Sequence, residues 1–264
     1  MTLGFRRRRA LGVLLIACAG VALVAAGCTH EDAAGGAGAG ALSSATAQGV
    51  APSSTAVLSP TAKRSTGGPA DTVTELDGLT VLSARPDVPT YQRGCGPGQR
   101  CSFGAAWTDD SAAPDGHNGC GTRNDVLQEQ LNDVVFKDGS GCVVVAGTLR
   151  DPYTGTEISF RKADAADVQI DHVYPLARAF DMGAAGWPQE RRTAFANDTD
   201  LELLAVAAAA NQAKGDYGPA EWMPPDPNGA CAYVGRYISI AWAYQLAITA
   251  AEHDTLSRVL ASCG

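Results

Sequence analysis

Two short stretches carry residue types suited to hydrolysing phosphate esters. Asp171 and His172 stand side by side in Gln169-Ile170-Asp171-His172-Val173-Tyr174-Pro175-Leu176, and Asn211-Gln212-Ala213-Lys214-Gly215-Asp216 follows further along the chain. Splitting a phosphodiester calls for a water made nucleophilic, charge neutralised on the phosphate and a stabilised leaving oxygen. A neutral imidazole suits the first task near pH 7, its ordinary pKa being about 6.5. A hard divalent cation such as Mg²⁺ suits the other two, because it prefers oxygen donors and keeps several waters, so one carboxylate and one amide oxygen can hold it. Successive strand side chains point to opposite faces. Asp171 and His172 therefore need a bend at the strand end to serve one centre, and Pro175 nearby provides for one.

Few other residues compete for such a role. The histidines are His30, His117, His172 and His253, and neither an HExxH nor a GxxxxGK[ST] stretch occurs, which leaves no room for a His-rich zinc centre or a P-loop. His117 sits in the turn Asp115-Gly116-His117-Asn118-Gly119, and His253 follows a helix cap facing solvent. Trp107, Trp187, Trp222 and Trp242 read as packing residues.

The elements that position the two stretches follow from apolar spacing. Thr122 and Asp125 suggest a capping box opening a helix to about residue 132. Cys142 to Val145 and Ile158 to Phe160 read as strands around the turn Asp151-Pro152-Tyr153-Thr154-Gly155, predicting a hairpin. Val168 to Val173 and Leu201 to Val206 read as two more strands, and Pro188 as the first residue of a helix reaching Ala196. The Asn211 to Asp216 stretch is expected to open a helix. Tyr233 to Ala247 and Ala250 to Leu260 read as helices, with Thr249 and Glu252 as a capping box between them. The fold class is α+β without internal repeats.

The chain of 264 residues is 45% hydrophobic and carries a formal net charge of -8. Arg6 to Arg9, the apolar run Ala10 to Ala26 and Ala25-Ala26-Gly27 before Cys28 read as an export leader over residues 1–27 ending in a lipoprotein box, with Cys28 as the lipidated first residue of the mature chain. Without those four arginines 16 Lys+Arg face 28 Asp+Glu, a balance of -12. So acidic a protein has no broad basic face for nucleic acid, and phosphate chemistry must rest on a local site. Residues 28–75, mostly Ala, Gly, Ser, Thr and Pro, read as a disordered tether, and 76–264 as one domain.

Beyond Cys18 and Cys28 six cysteines remain: Cys95, Cys101, Cys120, Cys142, Cys231 and Cys263. Sequence alone leaves their pairing open. Locality ranks Cys95 with Cys101, Cys120 with Cys142 and Cys231 with Cys263, each bridge contributing about 2 to 4 kcal/mol. A Cys-ligated metal is the rival reading, although no CxxC pair occurs.

The Asp-His pair ending a strand, then Pro-Leu, an apolar strand and Asn-x-x-Lys-Gly-Asp resembles the HNH (ββα-metal, His-Me finger) endonucleases. The likeness is closest to the secreted actinobacterial HNH proteins related to the C-terminal nuclease domain of modification-dependent restriction enzymes. Phe103-Gly104 with Trp107 and Asp109, Cys120-Gly121-Thr122-Arg123-Asn124, Asp151 to Gly155 and Phe195-Ala196-Asn197-Asp198 extend it over most of 91–263. The resemblance implies a small disulfide-stapled domain built around a ββα-metal core with flanking helices. It implies a monomeric, metal-dependent endonuclease that hydrolyses DNA, or RNA, in solution outside the cell or on the outer face of the membrane, anchored through the Cys28 lipid. By position Asp171 and Asn211 would hold one divalent cation, Mg²⁺ first and Mn²⁺, Zn²⁺ or Ca²⁺ as alternatives, and His172 would be the general base. Lys214 would touch a phosphate oxygen, Arg123 would be either a second phosphate contact or a structural ion pair, and Asp216 would fix the helix start. The family pattern leads one to expect an Asn where Glu202 precedes Leu203-Leu204. Glu202 then serves as a further metal ligand, or Asn197 takes the missing role, or the site has decayed and the protein is a surface lipoprotein binding module without turnover.

Overall fold

A computed structural model describes residues 69–263; the leader, the Cys28 lipid site and the tether up to residue 68 lie outside the described residues. Helix α1 (Pro69–Asp77) opens the described chain, so helix begins within the stretch read as tether. Its Leu76 is buried in the larger of two apolar clusters. The short strand β1 (Val81–Leu82) follows, and an irregular stretch leads to α2 (Thr122–Gln130). The expected cap is one residue off and chemically different. Gly121 caps α2 without a side-chain bond, because the Thr122 hydroxyl donates instead to the Thr108 carbonyl and to Asn197 Oδ1, both at 3.0 Å.

Strands β2 (Asn132–Phe136), β3 (Val144–Arg150) and β4 (Glu157–Arg161) form an antiparallel sheet in that order. The β3–β4 hairpin is the predicted one, in register from Ala146↔Arg161 to Arg150↔Glu157, whereas β2 carries no alternation strong enough to read from sequence. The hairpin turn is held from within: Asp151, fully buried, accepts the Thr154 hydroxyl and the Thr154 N–H.

Strand β5 (Val168–His172) is followed by α3 (Leu176–Asp181), α4 (Gln189–Ala196), β6 (Leu203–Ala207) and α5 (Ala208–Lys214). β5 and β6 pair antiparallel without a register break, from Val168↔Ala207 to His172↔Leu203. The bend comes immediately after His172, at Val173 and Tyr174, as the chain enters Pro175. Since α5 leaves β6 directly, two antiparallel strands and one helix form a ββα unit. Asp151 Oδ1 also accepts the Ala207 N–H at 3.0 Å, fastening the hairpin turn to the β6–α5 junction.

The expectation that Asn211 to Asp216 opens a helix is corrected here. Asn211 lies within α5 and Lys214 ends it, because Gly215 takes φ +53°, a left-handed conformation that stops a helix and suits glycine. Asp216 therefore fixes no helix start; its carboxylate receives Arg85 Nη1 at 3.1 Å.

Helix α6 (Pro227–Tyr244) begins earlier than apolar spacing suggests, with Asp226 as cap and Pro227 in the first turn, and ends at the left-handed Gln245. Strand β7 (Ile248–Thr249) pairs parallel with β1, and α7 (Ala250–Leu260) carries the predicted Thr249–Glu252 capping box. The three disulfides join Cys95–Cys101, Cys120–Cys142 and Cys231–Cys263, as locality ranks them. One apolar cluster gathers α3, α4 and α6 around Phe195, Tyr237 and Ile240. The other seats α2 on the sheets through Val126, Leu127, Leu149, Ile170 and Leu203. The ββα unit lies between them, with Val206 in the first and Ile170 in the second. Among the described residues no helix is long and apolar enough to cross a membrane.

Candidate active site

Gln169 and Asp171 stand two apart on β5 and so share a face of the strand. Asn211 and Lys214 stand three apart on α5 and share a face of the helix. The two faces meet in two rungs. Asn211 Nδ2 donates to Gln169 Oε1 at 2.9 Å, and Lys214 Nζ donates to Asp171 Oδ1 at 2.9 Å and to the His172 carbonyl at 2.8 Å. The hydroxyl of Tyr153, carried by the hairpin turn, donates to Asp171 Oδ2 at 2.6 Å. Burial pushes the Asp171 pKa up, and the Lys214 charge and these hydrogen bonds oppose it.

His172 is buried on the neighbouring elements. Its ring stacks on Trp107, with centroids 5.6 Å apart and planes 16° from parallel, and Nε2 lies 3.0 Å from the Ala196 carbonyl. A carbonyl only accepts, so the neutral ring carries its proton on Nε2 and keeps the Nδ1 lone pair for other use. Burial, followed by the positive charge of Arg93, pushes the imidazole pKa down to about 3, which keeps the ring neutral at pH 7. The neighbouring Asn197 is itself fixed: Thr122 donates to Asn197 Oδ1, and Asn197 Nδ2 donates to the Thr193 carbonyl at 2.9 Å.

Asp171, His172 and Asn211 border one cleft of about 300 Å³, together with Tyr91, Arg93 and Asp216. A narrower hollow shares Arg93 and His172 with it and is walled by Trp107 and Asn197. The other sequence candidates lie elsewhere or behind. Lys214 is fully buried, its ammonium committed to Asp171 and the His172 carbonyl. Arg123 Nη2 donates to the Ala165 and Val168 carbonyls at 3.2 and 3.0 Å, tying α2 to the start of β5 away from the cleft. Glu202 is fully buried and does not border the cleft. Its Oε2 receives the Tyr174 N–H at 3.4 Å, while Oε1 has no partner among the described residues. Burial pushes its pKa well up, with the Lys214 charge opposing.

A divalent cation fits this arrangement as an open, water-completed site. Among the described residues no three His, Cys, Asp or Glu side chains gather into a metal cage. The Asn211 amide, however, spends its NH₂ on Gln169, leaving its oxygen as a hard donor on the wall it shares with Asp171. Each Asp171 oxygen retains a further lone pair beside its present donor.

Several contributors escaped the sequence reading. Tyr153 was legible only as a turn residue, although a tyrosine in a turn fixed by a buried Asp151 is well placed to reach a neighbouring strand. Gln169 could have been found from its two-residue spacing to Asp171. Trp107 read as packing, and it does pack, on the imidazole itself. Arg93 left no local signal.

Residues 121–259, just over half of the chain, match the family described as GmrSD restriction endonucleases, C-terminal domain. An uncharacterized secreted protein of Arthroderma benhamiae is 40% identical over 145 residues, spanning 54% of this chain and 68% of that protein. Neither comparison carries the actinobacterial part of the resemblance, and no solved structure matches. The chain belongs to the family of the GmrSD restriction endonuclease C-terminal domain.

Proposed function

We propose that the domain is an endonuclease of the HNH (ββα-metal) type that hydrolyses phosphodiester bonds of DNA, with RNA as a second substrate, in a metal-dependent reaction outside the cell. The observation that carries this reading is the cleft on which Asp171, His172 and Asn211 converge from two separate stretches of chain. The family membership supports nuclease chemistry.

In this reading His172, held neutral and oriented through Nε2 by the Ala196 carbonyl, takes a proton from the attacking water at Nδ1. Asp171 and the Asn211 amide oxygen would hold one divalent cation, Mg²⁺ first. When bound, that ion supplies charge neutralisation on the phosphate and stabilisation of the leaving oxygen. Tyr153 and Lys214 fix the Asp171 carboxylate from two directions, and Gln169 fixes the Asn211 amide through its NH₂, leaving the amide oxygen free to bind. Lys214 is thereby a positioning residue, and Arg123 a structural one.

The similar secreted protein and the three disulfides support an extracellular setting. Lipid on Cys28 would hold the mature chain, as a monomer, at the outer membrane face. Globomycin treatment of cells expressing the full chain tests this, since a lipoprotein accumulates unprocessed.

One observation favours a second reading, a binding module without turnover: both Asp171 oxygens already carry a donor. Plasmid DNA incubated with the full chain and Mg²⁺, Mn²⁺, Ca²⁺ or Zn²⁺ in turn, with and without EDTA, separates the two. Nicking that EDTA abolishes supports the nuclease; intact plasmid with every cation supports the binding module.

A further inference from the structure

We infer that Arg93, carried to the cleft on a disulfide-pinned loop, is the side chain that grips the substrate phosphate beside His172. The inference rests on the nuclease reading above and names the cation that reading lacks.

The electrostatics require such a group. A polyanion approaching a protein of net charge -8 is repelled in general and must be captured locally. The cations that sequence pointed to are committed elsewhere. Lys214 is buried against Asp171 and the His172 carbonyl, and Arg123 donates to two backbone carbonyls. Arg85 pairs with Asp181 and Asp216. Among the described residues Arg93 is the one Lys or Arg bordering the cleft of Asp171, His172 and Asn211, and also the one bordering the narrower hollow under Trp107. It is exposed, forms no ion pair among the described residues, and stands with Tyr91 on the cleft wall.

The backbone on either side of Arg93 is fixed. The Ser102 N–H donates to the Gln92 carbonyl at 2.9 Å, and the Gln92 N–H returns to Ser102 Oγ at 3.0 Å. The Cys101 N–H donates to the Gly94 carbonyl at 3.0 Å. The Arg100 N–H donates to Gln92 Oε1 at 3.0 Å, and the Cys95–Cys101 bridge closes the loop. A guanidinium on so constrained a base loses little backbone freedom when it forms its paired hydrogen bonds to phosphate oxygens. Those bonds strengthen as negative charge builds on the phosphate. Arg93 precedes the segment matched to the restriction-enzyme family, so membership in that family assigns it nothing.

The test uses the oxidised full chain and a fluorescein-labelled DNA duplex, with binding read by fluorescence anisotropy in EDTA, where metal-dependent cleavage is suppressed, and cleavage read separately with Mg²⁺. Arg93→Ala should weaken binding about tenfold or more and reduce the slope of log affinity against log salt by about 1. It should lower kcat/KM at least as much, with an unchanged melting temperature. Arg93→Lys should recover part of the binding, and Arg100→Ala, on the same loop but outside the cleft, should behave as wild type. The Cys95→Ser/Cys101→Ser double variant should lose binding in the same direction as Arg93→Ala. Wild-type affinity and salt slope in Arg93→Ala overturn the inference, and if that variant and the wild type cleave alike the nuclease reading stands without it. A wild-type protein that binds through Arg93 but cleaves with no cation keeps the phosphate grip and removes the nuclease reading. No binding and no cleavage removes both.

Discussion

Lys214 Nζ lies 2.9 Å from Asp171 Oδ1, with Lys214 fully buried and Asp171 buried except where it borders the cleft. An ion pair withdrawn from water gives up hydration that only good geometry and further hydrogen bonds offset, and here Tyr153 and the His172 carbonyl provide them. Removing one partner strands the other. Lys214→Met is expected to destabilise the domain by about 3–5 kcal/mol, read from the urea midpoint, and Asp171→Asn in the same chain should restore part of it. A Lys214 variant of wild-type stability that had merely lost affinity for DNA would return this residue to the role of phosphate contact.

His172→Ala should lower the rate of plasmid nicking by roughly 10² to 10⁴. The pH response of stability checks the environment of the ring independently. An unfolded histidine takes up its proton near pH 6.5, the folded ring only at about 3. Between those values the unfolded chain binds more protons, so the contribution of His172 is whole above about pH 6.5 and declines as pH falls towards 3. The melting temperature of wild type minus that of His172→Gln should therefore shrink through this window, and a constant difference would show a ring that protonates freely in the fold. For the same reason the acidic limb of activity should lie below that of a solvent-exposed imidazole.

Asn211→Ala should raise the Mg²⁺ concentration for half-maximal cleavage by about tenfold or more, the effect expected when a ligand or its close support is lost. Stability should change little, since Asn211 is only part-buried. Calorimetric titration of the cation gives the same comparison without turnover. Identical metal titrations in Asn211→Ala and wild type would remove the amide from the ligand set.

Glu202 offers a sharper choice. Its Oε1 is buried without a partner, and burial raises its folded pKa well above the unfolded value. The folded chain therefore holds a proton that the unfolded chain has released, and the stability associated with Glu202 is lost as pH rises from about 4.5 upward. Glu202→Gln, which needs no proton, should melt at or above the wild-type temperature at pH 7 and leave the metal titration unchanged. Weaker metal binding in this variant would instead make Glu202 a ligand.

Residues near one another in sequence were the readable part of this molecule. The β3–β4 hairpin announces itself through apolar runs on either side of the turn Asp151 to Gly155, and the bridges Cys95–Cys101, Cys120–Cys142 and Cys231–Cys263 are the ones locality ranks first. The Thr249–Glu252 cap lies within one helical turn. Asp171, His172 and Asn211 could be named because their residue types suit one chemistry, but the place of Asn211 inside α5 depends on how far the helix runs before Gly215, and alanine-rich sequence does not reveal that.

Sequence by itself determined the β3–β4 hairpin, the Thr249–Glu252 cap, a ranking of the cysteine pairs and the residue types able to hydrolyse a phosphodiester, because spacing and side-chain chemistry are local properties. Tertiary structure alone decided which cations are available. Lys214 and Arg123 look alike in sequence to any free base, yet packing commits one to a buried carboxylate and the other to backbone carbonyls, while a distant loop brings Arg93 to the cleft. Burial and partnership are set by long-range contacts that no window of sequence contains, and they govern what a charged side chain can still bind.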